Sequence, residues 1–123
     1  MRLNVRSNQA ALNKVVKRLN DGRGRAVIAV NDPLACWYRT PKGVPCAVGA
    51  LIVQASYDPT CERWPVRSLL ASGRLTTFPG CDLDLLFALQ SVHDDPTNWE
   101  GNKFKGWGTI HAVAKEHGLK VNK

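Results

Sequence analysis

The run Cys46-Ala47-Val48-Gly49-Ala50-Leu51-Ile52 constrains this chain most, because it is uncharged and apolar nearly all round. Whatever shape it takes must be covered on every side by the rest of the protein. A chain of 123 residues can bury enough surface to do that within one domain and without covalent staples. Entered through Pro45, the run reads as a central helix over residues 46–55. Gly49 within a helix costs about 1 kcal/mol relative to alanine, which predicts that another backbone passes close to it.

The elements around this centre announce themselves by caps and periodicity. Ser7 is an N-cap for a helix over residues 8–20, with Leu12, Val15, Val16 and Leu19 on one apolar face and Lys14, Lys17 and Arg18 largely off it. Asp21-Gly22-Arg23-Gly24 ends that helix. The β-branched run at residues 26–30 reads as a strand, Asn31-Asp32-Pro33 as a turn, and residues 35–39 as a second strand closing a hairpin. Asp58-Pro59 and Pro65 each start a short helical turn, the second with Val66, Leu69 and Leu70 inward and Gly73 as its stop. Residues 75–80 form a loop. Asp82 caps a helix over residues 83–93, with Leu85, Leu86, Leu89, Val92 and His93 sharing or bordering one face. Residues 101–106 read as a mobile stretch. A last helix over residues 107–117 turns Trp107, Ile110, Val113 and Ala114 inward and ends at a Gly118-Leu119 Schellman stop. The expected architecture is α+β: one small domain, a short β-hairpin packed with about five short helices, and the 46–55 helix at its centre.

Charge is segregated. Net charge is +7. Residues 1–25 hold seven basic side chains and one acid, whereas residues 82–100 hold five acids and no lysine or arginine. A bipolar surface follows, with a basic pole that attracts phosphate or an acidic protein. No stretch approaches the ~18 consecutive apolar residues that mark a membrane-spanning helix, and residues 1–6 lack the apolar run of a signal peptide. The expected compartment is the cytoplasm, with no membrane contact and with Cys36, Cys46, Cys61 and Cys81 reduced. No Cys-x-x-Cys or His-x-x-x-His pair points to a metal. Gly22-x-Gly24 follows a helix and lacks a third glycine, so it is no nucleotide loop, and no cofactor is expected.

The pattern Tyr38-Arg39, Gly43, residues 46–52, Tyr57-Asp58-Pro59, residues 85–89, Gln90, His93-Asp94 and Trp99 resembles an uncharacterised family of small bacterial and phage proteins. The resemblance covers roughly residues 36–100. It implies no established activity, and it suggests a phage or mobile-element origin with a host macromolecule as the partner.

Three functions compete. A cysteine at a helix start has a lowered pKa and N–H groups suited to an oxyanion. With His93 as base and Asp94 or Asp95 as orienter, Cys46 would then serve a hydrolase or transferase. The plainer reading makes Cys46 a buried small hydrophobe and His93 a helix C-terminal cap. In the second function, Lys14, Lys17, Arg18, Arg23 and Arg25 form a face that binds and modulates an acidic protein. In the third, the same residues track the phosphates of a nucleic acid, although no helix-turn-helix, RRM or KH signature is present. Trp37, Trp64, Trp99 and Trp107 read as core or rim residues, and an exposed one beside Arg39 or Lys105 would be a binding hot spot. His111 and His117 read as surface or capping residues. The preferred expectation is a regulatory binding protein rather than an enzyme. Neither heptads nor a large apolar patch speaks to oligomeric state.

Overall fold

The computed structural model describes residues 1–29 and 32–123, with side chains for residues 1–27 and 37–123. The first helix, α1 (Asn8–Leu19), begins as its cap predicts: Ser7 is extended and its hydroxyl accepts the Ala10 N–H. Its inner face carries Ala11, Leu12, Val15, Val16 and Leu19, all buried. Strand β1 (Val27–Ala29) pairs antiparallel with β2 (Asp32–Cys36), Val27 opposite Cys36 and Ala29 opposite Asp32, with the register slipping between. Val30 and Asn31, expected to end the first strand and begin the turn, lie outside the described residues.

The second strand therefore lies earlier than residues 35–39. Trp37 still donates its N–H to the Ala26 carbonyl at 3.0 Å. Beyond it, the N–H groups of Tyr38 and Arg39 turn to the Glu62 carboxylate at 2.8 and 3.1 Å. That carboxylate takes the donors that a continuing ladder would have used.

The expected central helix over residues 46–55 is not formed. The segment instead makes two 3-10 turns, Gly49–Leu51 and Gln54–Ser56. Its backbone groups find partners from distant parts of the chain. Cys46 donates to the Tyr38 carbonyl, Val53 donates to Arg2, and Leu51 accepts from Asn4. A helix would have paired the Leu51 carbonyl and the Val53 N–H internally, and would have left the Cys46 N–H open at its first turn. The segment is nonetheless central: Cys46, Ala47, Val48, Gly49 and Leu51 are all buried. The predicted close approach at Gly49 is present, since a Cβ there would fall 1.9 Å from the Tyr38 carbonyl oxygen.

Asp58 caps the 3-10 turn Pro59–Cys61, and Pro65 leads into α2 (Val66–Ala71), which ends at Gly73 with φ of 74°. Asp82 caps α3 (Leu83–Asp94) by accepting the Leu85 N–H, and Asp95 caps the turn that follows. The stretch expected to be mobile is a hairpin. Strand β3 (Trp99–Glu100) pairs with β4 (Lys103–Phe104) across Gly101-Asn102, and Gly101 takes the left-handed φ of 59° that such a tight loop needs. Helix α4 (Trp107–Glu116) ends with Leu119 N–H on the Ala114 carbonyl and Gly118 at φ of 67°.

Two apolar clusters result. The larger joins α1, α3 and α4 through Leu12, Val16, Leu86, Leu89 and Ile110, and closes over Trp99 and Phe104. The smaller gathers Ala26, Tyr38, Cys46, Val48 and Ile52 with Val66, Leu69 and Leu75. Among the described residues these elements are four α-helices and two antiparallel hairpins, an α+β fold. Among the same residues, no helix is long and apolar enough to cross a membrane.

Candidate functional site: a basic cleft beside a buried polar network

His93 sits in the last turn of α3 and is fully buried. Its Nδ1 lies 2.9 Å from Asp94 Oδ1, and its Nε2 accepts the Ala26 N–H at 3.3 Å. An Nε2 that accepts carries no proton, so the proton belongs on Nδ1 and the ring is neutral. Burial pushes the imidazole pKa down, with the Asp94 carboxylate acting the other way. The ring packs edge-on against Trp99, whose Nε1–H donates to the His93 carbonyl at 2.9 Å.

The network extends outward from there. Asp94 also accepts from Gln90 Nε2, and Gln90 Oε1 accepts the Val48 N–H, both at 2.9 Å. Arg25 donates to the Asp94 carbonyl at 2.9 Å. The structure thus brings His93 and Asp94 together, but the lone pair that a general base would use already accepts a backbone N–H. Asp95 points elsewhere and accepts from Thr97.

Cys46 is fully buried within the smaller cluster, and its Sγ accepts the Gly49 N–H at 3.2 Å. Because no helix starts at Cys46, the dipole that would have activated its thiol is missing. Cys61 is also buried, and burial raises its thiol pKa.

The basic residues fare differently. Lys14 and Lys17 project from the outer side of α1, where a spacing of three makes them neighbours. With Arg23 and Arg39 they line a cleft of about 460 Å³, floored by Gly43, Pro45, Gly49 and Ala50. Asp21 is the one acid in this lining, against five cationic side chains. Arg23 pairs with Asp21 at 2.7 Å and stays half exposed. Lys14 and Lys17 make no hydrogen bond or ion pair among the described residues.

Arg18 also reaches the cleft, but from within, and it corrects the expectation of an outward-facing side chain. Only 3% exposed, it donates to the Pro45 carbonyl at 2.6 Å, to the Gly24 carbonyl, and to Asp21 at 2.9 Å. Burial lowers its pKa, and the Asp21 carboxylate opposes that. It holds the cleft wall by satisfying carbonyls of two loops. Its place seven residues after Ala11 puts it on the row Ala11, Val15, Arg18, which is the buried face.

Arg25 does not line the cleft, since its guanidinium turns to the end of α3. Arg39 was not foreseen as a binding residue. It is fixed by Gln54 and by the carbonyls of Gly49 and Ile52, and it lies over the Tyr57 ring. Only the fold brings it beside α1. Of the tryptophans, Trp99 is buried, Trp37 and Trp107 are partly so, and Trp64 is 40% exposed. His111 is exposed, while His117 lies at the end of α4 against Asp82. Chemically the cleft is a concave surface of positive charge, suited to carboxylates or phosphates. No family model matches the chain, nor does any curated protein or solved structure, so the resemblance to small phage proteins rests on its motifs alone.

Proposed function

We propose that this chain is a cytoplasmic binding protein that modulates a macromolecular partner by seating an acidic segment of it in the basic cleft. On the resemblance to phage proteins, the partner is a host protein. One observation carries the reading: Lys14 and Lys17 from α1, Arg23 from the loop after it and Arg39 from beyond β2 meet around one cleft with a single acid in its lining. The fixed Arg18 and Arg39 keep that wall in shape before any partner arrives, which lowers the ordering cost of binding. Exposed ion pairs contribute only about 0.2–1 kcal/mol each. Lys14, Lys17 and Arg23 therefore supply steering and register, and the apolar floor at Pro45 and Ala50 supplies contact area. The buried thiol and the committed His93 lone pair support binding over cysteine catalysis.

The test is titration of a short fluorescein-labelled glutamate-rich peptide, followed by anisotropy. The native protein should bind it, with affinity falling as salt rises. The combined change Lys14→Glu, Lys17→Glu and Arg23→Glu should reduce binding at least about tenfold, by reversing three charges in the cleft. Unchanged binding by that variant, with an unaltered melting curve, removes the proposal.

A further inference from the structure

We propose a second binding surface on residues 63–74, remote in sequence from the α1 cluster, that takes a single-stranded nucleic acid by stacking on Trp64 and pairing its phosphates with Arg63, Arg67 and Arg74. Trp64 is one of two large apolar side chains that stand exposed among the described residues. Trp64 is 40% exposed with Arg74 over one face of its ring, and its backbone is fixed: the carbonyl accepts the Tyr38 hydroxyl, and the N–H donates to the Cys61 carbonyl at 3.2 Å. Arg63 beside it holds φ at 70°, the one left-handed non-glycine among the described residues. The fold thus holds an uncommon backbone conformation where it presents an aromatic ring to solvent.

The Arg74 guanidinium lies over the Trp64 ring, 4.1 Å from its centroid, and Arg67 lies over Phe87 at 3.9 Å. These are flat, cationic, stacked surfaces. Arg63, Arg67 and Arg74 are all exposed. They belong to a stretch whose helix, α2, has six residues and is about 9 Å long.

Acids are sparse along this stretch of sequence. Glu62 is the only acid between Asp58 and Asp82. Its carboxylate is turned inward, accepting from Tyr38, Arg39 and the Tyr57 hydroxyl. Three arginines answer phosphates or carboxylates equally well. An exposed indole stacked on a guanidinium distinguishes the two, because a base has a π face to offer and a carboxylate has none. A duplex hides its base faces, which makes a single strand the occupant.

The experiment uses the full chain and a fluorescein-labelled oligothymidylate. Three phosphate contacts give a log–log salt slope of about −2, or roughly a 20-fold loss of affinity between about 50 and 200 mM salt. Trp64→Ala should weaken binding about tenfold. The triple change Arg63→Gln, Arg67→Gln and Arg74→Gln should flatten the salt slope. The oligonucleotide should quench tryptophan emission, and Trp64→Phe should bind within about threefold while losing that quench. This last variant keeps an aromatic ring and so covers the case in which Trp64→Ala fails to fold. The variant reversed at Lys14, Lys17 and Arg23 should bind the strand as the native protein does, which separates this surface from the cleft. Absence of binding by the native protein, a quench that persists in Trp64→Phe, or displacement of the strand by a glutamate-rich peptide in equimolar competition each overturns the proposal.

Discussion

Replacing Gly49 with alanine should remove a large part of the stability of this protein. Gly49 is buried, and its φ lies outside the left-handed region, so its demand is for space rather than for an unusual conformation. The added Cβ would stand 1.9 Å from the Tyr38 oxygen, 2.7 Å from its carbonyl carbon and 3.2 Å from its Cα. A normal contact requires the carbonyl to retreat by more than about 1 Å. It is poorly placed to retreat. Tyr38 is held through its N–H by Glu62 and through its hydroxyl by Trp64, and its oxygen accepts the Cys46 N–H at 3.0 Å. Overpacking costs about 1–3 kcal/mol, and a buried N–H left without a partner costs a further 1–3 or so. The expected loss is about 4 kcal/mol, against total stabilities of roughly 5–15 kcal/mol for domains of this kind. Urea denaturation should show the midpoint falling by about 2 M, taking a slope of about 2 kcal/mol per molar. A loss under about 1 kcal/mol with the slope unchanged would refute the reasoning, because it would mean that the backbone at Tyr38 yields freely.

Gly108→Ala should do the opposite: a Cβ at this helical position in α4 meets nothing within 4 Å, and urea midpoints should report a gain of about 0.5–1 kcal/mol. His93 should give the stability curve a limb on the acid side. Burial depresses its folded pKa below the ordinary 6.5, so as pH falls the unfolded chain takes up the proton first. Stability is then intact above about pH 6.5 and declines by up to about 1.4 kcal/mol per pH unit towards the folded pKa. Urea titrations across that window should show the decline, and His93→Gln should flatten it. The carboxylates of Asp21 and Asp82 sit below their usual value of 3.8 despite the opposing effect of burial, held there by Arg23 and His117; their contribution is lost only as pH falls through those lower values. Finally, iodoacetamide on the native protein should label the half-buried Cys81 well before Cys46 or Cys61, as read by peptide mass mapping. Rapid selective labelling of Cys46 at neutral pH would reopen cysteine chemistry.

Features that depend on neighbours in sequence were legible before the fold. Ser7, Asp58 and Asp82 each accept an N–H two or three residues on, and Gly118 ends α4 where a Schellman stop is written. The 46–55 segment misled because its hydropathy is that of a buried helix, while its partners Arg2 and Asn4 lie far away in sequence and Tyr38 lies across an intervening turn. The Trp99–Phe104 hairpin was masked by polar and glycine residues between two aromatics that meet edge to face at 5.2 Å. At the cleft, Lys14, Lys17 and Arg23 were legible from charge. Arg39 was not, because only the fold carries it to α1. Arg18 was readable in principle, since it continues the row of Ala11 and Val15, but an arginine on a buried row invites being placed outside.

The partners of α1 set a timetable for folding. Leu12, Val15, Val16 and Leu19 share one apolar cluster with Ala47 and Leu51, with the buried leucines of α3 and with Ile110 and Val113 of α4, and Leu119 and Val121 pack against it; Lys120 bonds back to Gln9. During synthesis at about 5–20 residues per second, the cluster around α1 therefore waits roughly 5–20 s for its last members. Until residues 47–51 and then α3 and α4 have been made, the apolar face of α1 is covered only in part. A chain ordered in this way is most vulnerable on the ribosome, where its first element has been made and its last partners have not.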